Sequence, residues 1–161
     1  MIALVDYGAG NLASVRKALT TLRADFTTPR TPGDLSDMRG IIVPGVGHFG
    51  ATRALDTPWR EAIRDAVERG ASLFGICLGM QWLFEGSEEA PDVPGLGVIS
   101  GRCVRLAPDS PTGANLKVPH VGWNSLEQPR ATMLMHDVAP QAQVYFTHSY
   151  VAPVVAEAAA I

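Results

Sequence analysis

A chain of 161 residues has the length of one domain, and at that size folding buries roughly 68–70% of the unfolded surface. A composition that is 47% hydrophobic and 18% charged excludes a disordered chain, and a net charge of -3 excludes a general attraction to nucleic acid or an anionic membrane. No apolar run approaches the ~20 residues of a spanning helix, and the start lacks the basic region and cleavage site of a signal peptide, so a cytoplasmic location is expected.

Residues 2–6 form a short apolar run ending at Asp6, predicted as a strand, with Tyr7-Gly8-Ala9-Gly10 as the turn after it. Asn11 is the predicted N-cap of a helix whose apolar face is Leu12, Val15, Leu19 and Leu22. Residues 25–28 read as a second short strand, and residues 29–37, with Pro29, Pro32 and Gly33, as a loop holding one helical turn. Ile41-Ile42-Val43 is a buried strand broken by Pro44-Gly45-Val46-Gly47. Pro58 opens a helix with Trp59, Ile63, Ala66 and Val67 on one face, closed by Gly70. Residues 72–76 give another buried strand and 78–85 a short helix.

Apolar strands without polar alternation, separated by amphipathic helices, predict a mostly parallel sheet covered on both faces, a three-layer α/β/α domain. From Glu85 the pattern changes. Residues 86–97 are rich in Pro, Gly and acids and read as an exposed loop; residues 98–106, 116–120 and 144–150 read as strands. An Ala-rich stretch without a stop signal ends the chain, which is expected to lack the last part of its fold.

Two cysteines, Cys77 and Cys103, are too few for a disulfide framework or a zinc cage. Gly75-Ile76-Cys77-Leu78-Gly79 places one of them where a buried strand meets a helix, in the G-x-nucleophile-x-G pattern. There the sulfur stands at the carboxyl edge of the sheet, the helix amides favour thiolate, and the Leu78 N–H faces an incoming oxyanion. An isolated cysteine is more often core, but the flanking glycines and the strand-to-helix setting reverse that expectation here. Cys103 has no such setting and reads as a structural thiol. Pro44-Gly45-Val46-Gly47 ends the neighbouring strand at the same edge, and in company with the elbow it reads as a second source of oxyanion donors.

Tyr7-Gly8-Ala9-Gly10-Asn11-Leu12, Pro44-Gly45-Val46-Gly47-His48-Phe49 and Gly75-Ile76-Cys77-Leu78-Gly79-Met80-Gln81 occur in the order seen in class I (triad) glutamine amidotransferases, which the chain resembles up to about Tyr150. Lys117-Val118-Pro119-His120-Val121-Gly122-Trp123-Asn124 and Tyr145-Phe146-Thr147-His148-Ser149-Tyr150 narrow the resemblance to the glutaminase subunits of imidazole glycerol phosphate synthase. The resemblance implies one amidotransferase domain over residues 1–161 and hydrolysis of glutamine through Cys77. The ammonia passes to a separate cyclase subunit with a (β/α)8 barrel, in histidine biosynthesis. It further implies Gly45, Val46 and Leu78 at the oxyanion, Gly47 and Gln81 on the bound glutamine, and the backbone of Ser149 and Tyr150 on its α-carboxylate. Asn11, Pro119, His120, Gly122 and Trp123 would face the cyclase. No cofactor, metal, nucleic acid or membrane is implied.

The family's His-Pro-Glu motif is absent: two positions after His48, His120, His136 and His148 stand Gly50, Gly122, Val138 and Tyr150. A thiol without that imidazole lacks its base and the acid for leaving ammonia, so the 161-residue chain by itself is expected to be weakly active or inactive. The residues admit three other readings. Gly8-Ala9-Gly10-Asn11-Leu12-Ala13 matches the opening of a dinucleotide fingerprint, a weak signal because Asp25 opens the second strand instead of closing it. A redox or DJ-1-like protein on the same cysteine elbow and a non-catalytic cyclase-binding module are the alternatives of function. His148 reads as a strand histidine satisfied by its neighbours, and Glu88, Glu89 and Asp92 as a solvated loop.

Overall fold

The computed structural model describes residues 1–107, 117–127 and 131–155, which group into two compact units, Met1–Cys103 and Val104–Ile161. The first unit begins with β1 (Ile2–Leu4), followed by α1 (Leu12–Thr21), β2 (Phe26–Thr27) and a 3-10 turn at Pro32–Leu35. Next come β3 (Gly40–Gly45), a 3-10 turn at Phe49–Ala54, α2 (Thr57–Glu68), β4 (Ser72–Cys77), α3 (Leu78–Trp82) and β5 (Gly86–Ser87).

The sheet runs β2-β1-β3-β4 with every pair parallel, as the continuous apolar runs require. Ala3, Leu4 and Val5 on and after β1, and Ile41 and Val43 on β3, are buried. Ile63 and Ala66 of α2 join the same core with Leu35, Phe49 and Trp82. Each large side chain so enclosed contributes about 1.5–3 kcal/mol relative to exposure. β4 departs from the expectation of burial on both faces: it ends the row of strands, and Phe74 is 48% exposed.

The helix ends follow local chemistry. The Asn11 side-chain oxygen accepts the Ser14 N–H at 3.2 Å and starts α1. Leu19 is the buried residue of that helix, whereas Leu22, expected on the same face, is its C-cap and 75% exposed. Asp56 caps α2 by accepting the Trp59 N–H at 3.3 Å, with Pro58 in the first turn. Gly70, at φ 98°, ends the turn after it.

Residues 86–97 are not the exposed loop their composition suggested. Ser87, Ala90, Val93 and Leu96 are buried, and the Gly95, Leu96 and Gly97 N–H groups donate to the Glu85, Trp82 and Phe84 carbonyls. Packing against the core overrides a polar, breaker-rich sequence, because each of those four side chains turns inward while Glu88 and Asp92 stay outside.

β6 (Arg102–Arg105) crosses from one unit into the other, pairing β5 in parallel through its first two residues. In the second unit follow β7 (His120–Ser125), a short 3-10 turn, β8 (Gln143–His148) and β9 (Tyr150–Val151). β7 and β8 are antiparallel, as are the end of β6 and β9. The strand expected at 116–120 starts at His120, and Leu116 and the final Ala-rich stretch lie outside the described residues. The strand expected at 144–150 is two strands divided at Ser149. Among the described residues no helix is long and apolar enough to cross a membrane.

Candidate active site

The loops after β1, β3 and β4 leave the parallel sheet at one edge, and the last register pair of that edge is Gly45 opposite Cys77. Cys77 is the last residue of β4 and the N-cap of α3, with φ 53° and ψ -111°, a conformation unfavourable for any residue with a side chain. The residue is exposed to solvent.

The two glycines of the elbow are required by close approach. A Cβ on Gly75 would lie 2.6 Å from the Gly79 carbonyl oxygen and the Met80 backbone, and one on Gly79 would strike the Val43 carbonyl oxygen. The strand and helix therefore cross within backbone contact, which is what turns the cysteine outward. α3 is shorter than the 78–85 expected from the sequence, at five residues. Its contribution to an anion at Cys77 comes from the open N–H groups of a first turn more than from a long macrodipole.

Gly45 closes β3, and Val46 and Gly47 leave it, Val46 being exposed and Gly47 at φ 93°. Leu78 is buried directly after Cys77. A Cβ on Gly45 would meet the Tyr7 hydroxyl, the Leu78 Cβ at 2.7 Å and the Gly79 nitrogen at 2.9 Å. The segments carrying the three expected oxyanion residues thus converge beneath Cys77. Gln81, one turn along α3, has a buried side-chain oxygen without a hydrogen-bond partner.

Two neighbours escaped the sequence reading. The Tyr7 hydroxyl is buried and unpartnered, and its pKa is pushed up to about 12, first by burial and second by the charge of Cys77. Glu89, expected in a solvated loop, accepts the Phe49 N–H through its carboxylate at 2.6 Å. It thereby ties down the chain just beyond the Gly45–Val46–Gly47 loop, a contact between residues 40 apart that no local pattern signals. Asp92 behaves as a surface acid, paired with Arg53 at 2.8 Å.

Cys103 is fully buried, its thiol pushed up to about 11 by burial and directed at the Gln81 carbonyl at 3.8 Å, as a structural cysteine would be. Gly10 packs against Pro44, whose Cγ would be 3.3 Å from a Cβ there, so that glycine of the dinucleotide-like run has a packing reason for being one.

The remaining expected residues lie apart from this cluster in the chain. Asn11 caps α1. In the second unit the Ser149 carbonyl accepts the Leu106 N–H at 2.9 Å, and the Tyr150 carbonyl accepts from His148 Nδ1 at 3.0 Å. A carbonyl only accepts, so His148 Nδ1 carries the proton and its Nε2 is the acceptor for His120 Nδ1 at 3.2 Å. His148 is therefore satisfied on both nitrogens, and His120 Nε2 is left as an acceptor in the neutral ring. Pro119 precedes β7, and His120 and Gly122 share one face of the β7–β8 hairpin. Trp123 projects from the other face, 70% exposed and edge-on to Tyr145 with centroids 5.7 Å apart.

A family model described as glutamine amidotransferase class-I matches residues 3–160. The chain is 45% identical over 152 residues to the imidazole glycerol phosphate synthase subunit HisH of Geobacillus kaustophilus, covering 93% of this chain and 72% of that one. It is 45% identical over 153 residues to the subunit of the same name from Thermococcus kodakarensis, covering 94% and 72%. A crystal structure of a glutamine amidotransferase shares the fold with a TM-score of 0.70 at 21% identity, over 98% of this chain and 76% of that one. The chain belongs to the class-I glutamine amidotransferase family and, within it, to the HisH subunits of imidazole glycerol phosphate synthase.

Proposed function

We propose that Cys77 is the nucleophile of a glutaminase that supplies ammonia to an imidazole glycerol phosphate cyclase subunit in histidine biosynthesis. One observation carries this reading: an exposed cysteine at φ 53°, flanked by glycines that have no room for a Cβ, opposite Gly45 at the sheet edge. Attack of the sulfur on the side-chain amide of glutamine makes a C–S bond and a tetrahedral oxyanion. The Leu78 N–H and an N–H of the Gly45–Val46 segment receive that oxyanion. Collapse breaks the C–N bond, the nitrogen takes up a proton and leaves as ammonia, and water then hydrolyses the glutamyl thioester to glutamate and free thiol.

Gly47 and Gln81, whose side-chain oxygen is unpartnered, are the proposed contacts to the bound glutamine, with the backbone of Ser149 and Tyr150 on its α-carboxylate. Asn11, Pro119, His120, Gly122 and Trp123 are proposed to meet a separate (β/α)8-barrel cyclase; exposure of the Trp123 ring suits an anchor at such a surface. Residues 1–161 are read as one amidotransferase domain, since the family match runs through both units without interruption. A cytoplasmic location agrees with two free thiols.

None of the four histidines precedes an acid by two positions, so the 161-residue chain alone is expected to turn over free glutamine weakly or not at all. The same fact favours a second reading, a cyclase-binding module without chemistry of its own. The test is labelling with the glutamine-analogue electrophile 6-diazo-5-oxo-L-norleucine, resolved by mass spectrometry. Modification of Cys77 over Cys103, slowed by excess glutamine, is expected. An unlabelled Cys77 in a chain that still co-purifies with a barrel cyclase would move the assignment to the binding module.

A further inference from the structure

The Tyr7 hydroxyl is the polar group at the elbow to which the proposed chemistry gives no task. It comes from the loop after β1, two strands away from β4, and reaches across the end of β3. There it occupies the position that a Cβ of Gly45 would take, next to Leu78 and the Gly79 nitrogen. Gly45 is the register partner of Cys77, so the phenol lies in the floor of the nucleophile's corner. The oxygen is buried and has no hydrogen-bond partner. Leaving a buried hydroxyl unpaired costs on the order of 1–3 kcal/mol, which a ring of phenylalanine at the same place would avoid.

We propose that Tyr7 is a positioning residue for Cys77: its hydroxyl, at the tip of the ring, fills the notch of Gly45 between the two donor segments and is held ready as a hydrogen-bond donor to the ionised sulfur. This rests on the reading of Cys77 as a nucleophile. The phenol senses the charge of Cys77 and, pushed up to about 12 chiefly by burial, keeps its proton at neutral pH. A neutral donor lowers the cost of the anion and leaves no second negative charge beside it. The other titratable groups on the surrounding elements are Asp6, His48, Glu85, Glu88 and Glu89. Asp6 accepts the Gly8 N–H, His48 Nδ1 the Gly50 N–H and Glu89 the Phe49 N–H, while Glu85 is exposed.

The pH dependence of Cys77 alkylation by iodoacetamide, resolved by mass spectrometry, tests the role in the full chain. Tyr7→Phe keeps the ring and removes the donor. It is expected to move the alkylation midpoint upward and slow the reaction about three- to tenfold below that midpoint, a unit of pKa being tenfold in thiolate. A ring-fluorinated tyrosine at position 7, a stronger donor of nearly the same shape, is expected to move the midpoint the other way. A purely structural ring predicts no opposite shifts. Superimposable profiles for both variants would overturn the proposal; if Tyr7→Phe does not fold, an unmoved midpoint in the fluorinated protein does so alone. Iodoacetamide has no glutamine-like portion, so failure of the glutamine analogue to label Cys77 sinks the amidotransferase chemistry without deciding the phenol's role.

Discussion

Gly79 lies against the Val43 carbonyl oxygen at a distance that leaves no space for a methyl group. The contact joins α3 to the middle of β3, so the helix that follows Cys77 is seated on the strand that ends at Gly45. Gly79→Ala is therefore expected to destabilise the protein by about 1–3 kcal/mol, with a further loss of Cys77 labelling as the elbow shifts. Thermal melting and mass-spectrometric labelling on one sample check both parts.

Cys77 holds a backbone conformation that costs about 1–3 kcal/mol for a residue with a Cβ, and its exposed side chain contributes little packing in return. Cys77→Gly is expected to raise the melting temperature while abolishing reaction with a glutamine-analogue electrophile. A variant that melts below the parent would show that the strain is not relieved by removing the side chain.

The carboxylate of Glu89 is the acceptor for the Phe49 N–H, one residue after His48 and two after Gly47. Glu89→Ala leaves that N–H unpaired, and a loss of about 1–3 kcal/mol in chemical denaturation is expected. Glu89→Gln, which keeps an acceptor, should lose less.

Alkaline pH should weaken the fold. Tyr7 rises from 10.0 to about 12 and Cys103 from 9.0 to about 11, each chiefly through burial. Both are acids whose protonated form the folded state prefers, so the unfolded chain gives up its protons first. Their contribution is complete below about pH 9 and is lost as pH climbs through the folded values. Denaturation midpoints measured across that window should fall, and Cys103→Ala should flatten the lower part of the decline.

Trp123 is 70% exposed, touching Tyr145 edge-on. Trp123→Ala should alter stability by less than about 1 kcal/mol. If this face meets the cyclase, affinity for the barrel subunit should drop at least about tenfold, measurable by calorimetry. Equal affinity in the variant would remove Trp123 from the interface.

Much of the first unit was legible because its signals are local. Asn11 announces a cap three residues ahead, Gly70 a helix stop, and Gly75 to Gly79 an elbow whose sterics are contained within the motif and one neighbouring strand. What escaped were contacts between distant segments. Tyr7 looked like part of a turn, yet its hydroxyl lies against Gly45, and Glu89 looked solvated, yet it anchors Phe49. The segment around Leu96 is polar in composition and folds inward because four of its side chains reach the core. In the hairpin, alternation alone separates His120 from Trp123, a division that motif matching does not carry.

β4 bears Cys77 at its tip, and among the described residues its ladder bonds run to β3 alone. Among the described residues no strand pairs its other flank, a row of backbone donors and acceptors able to take on another strand. A strand added there would lengthen the ladder along residues 72–77 and hold the corner at Cys77 from both sides.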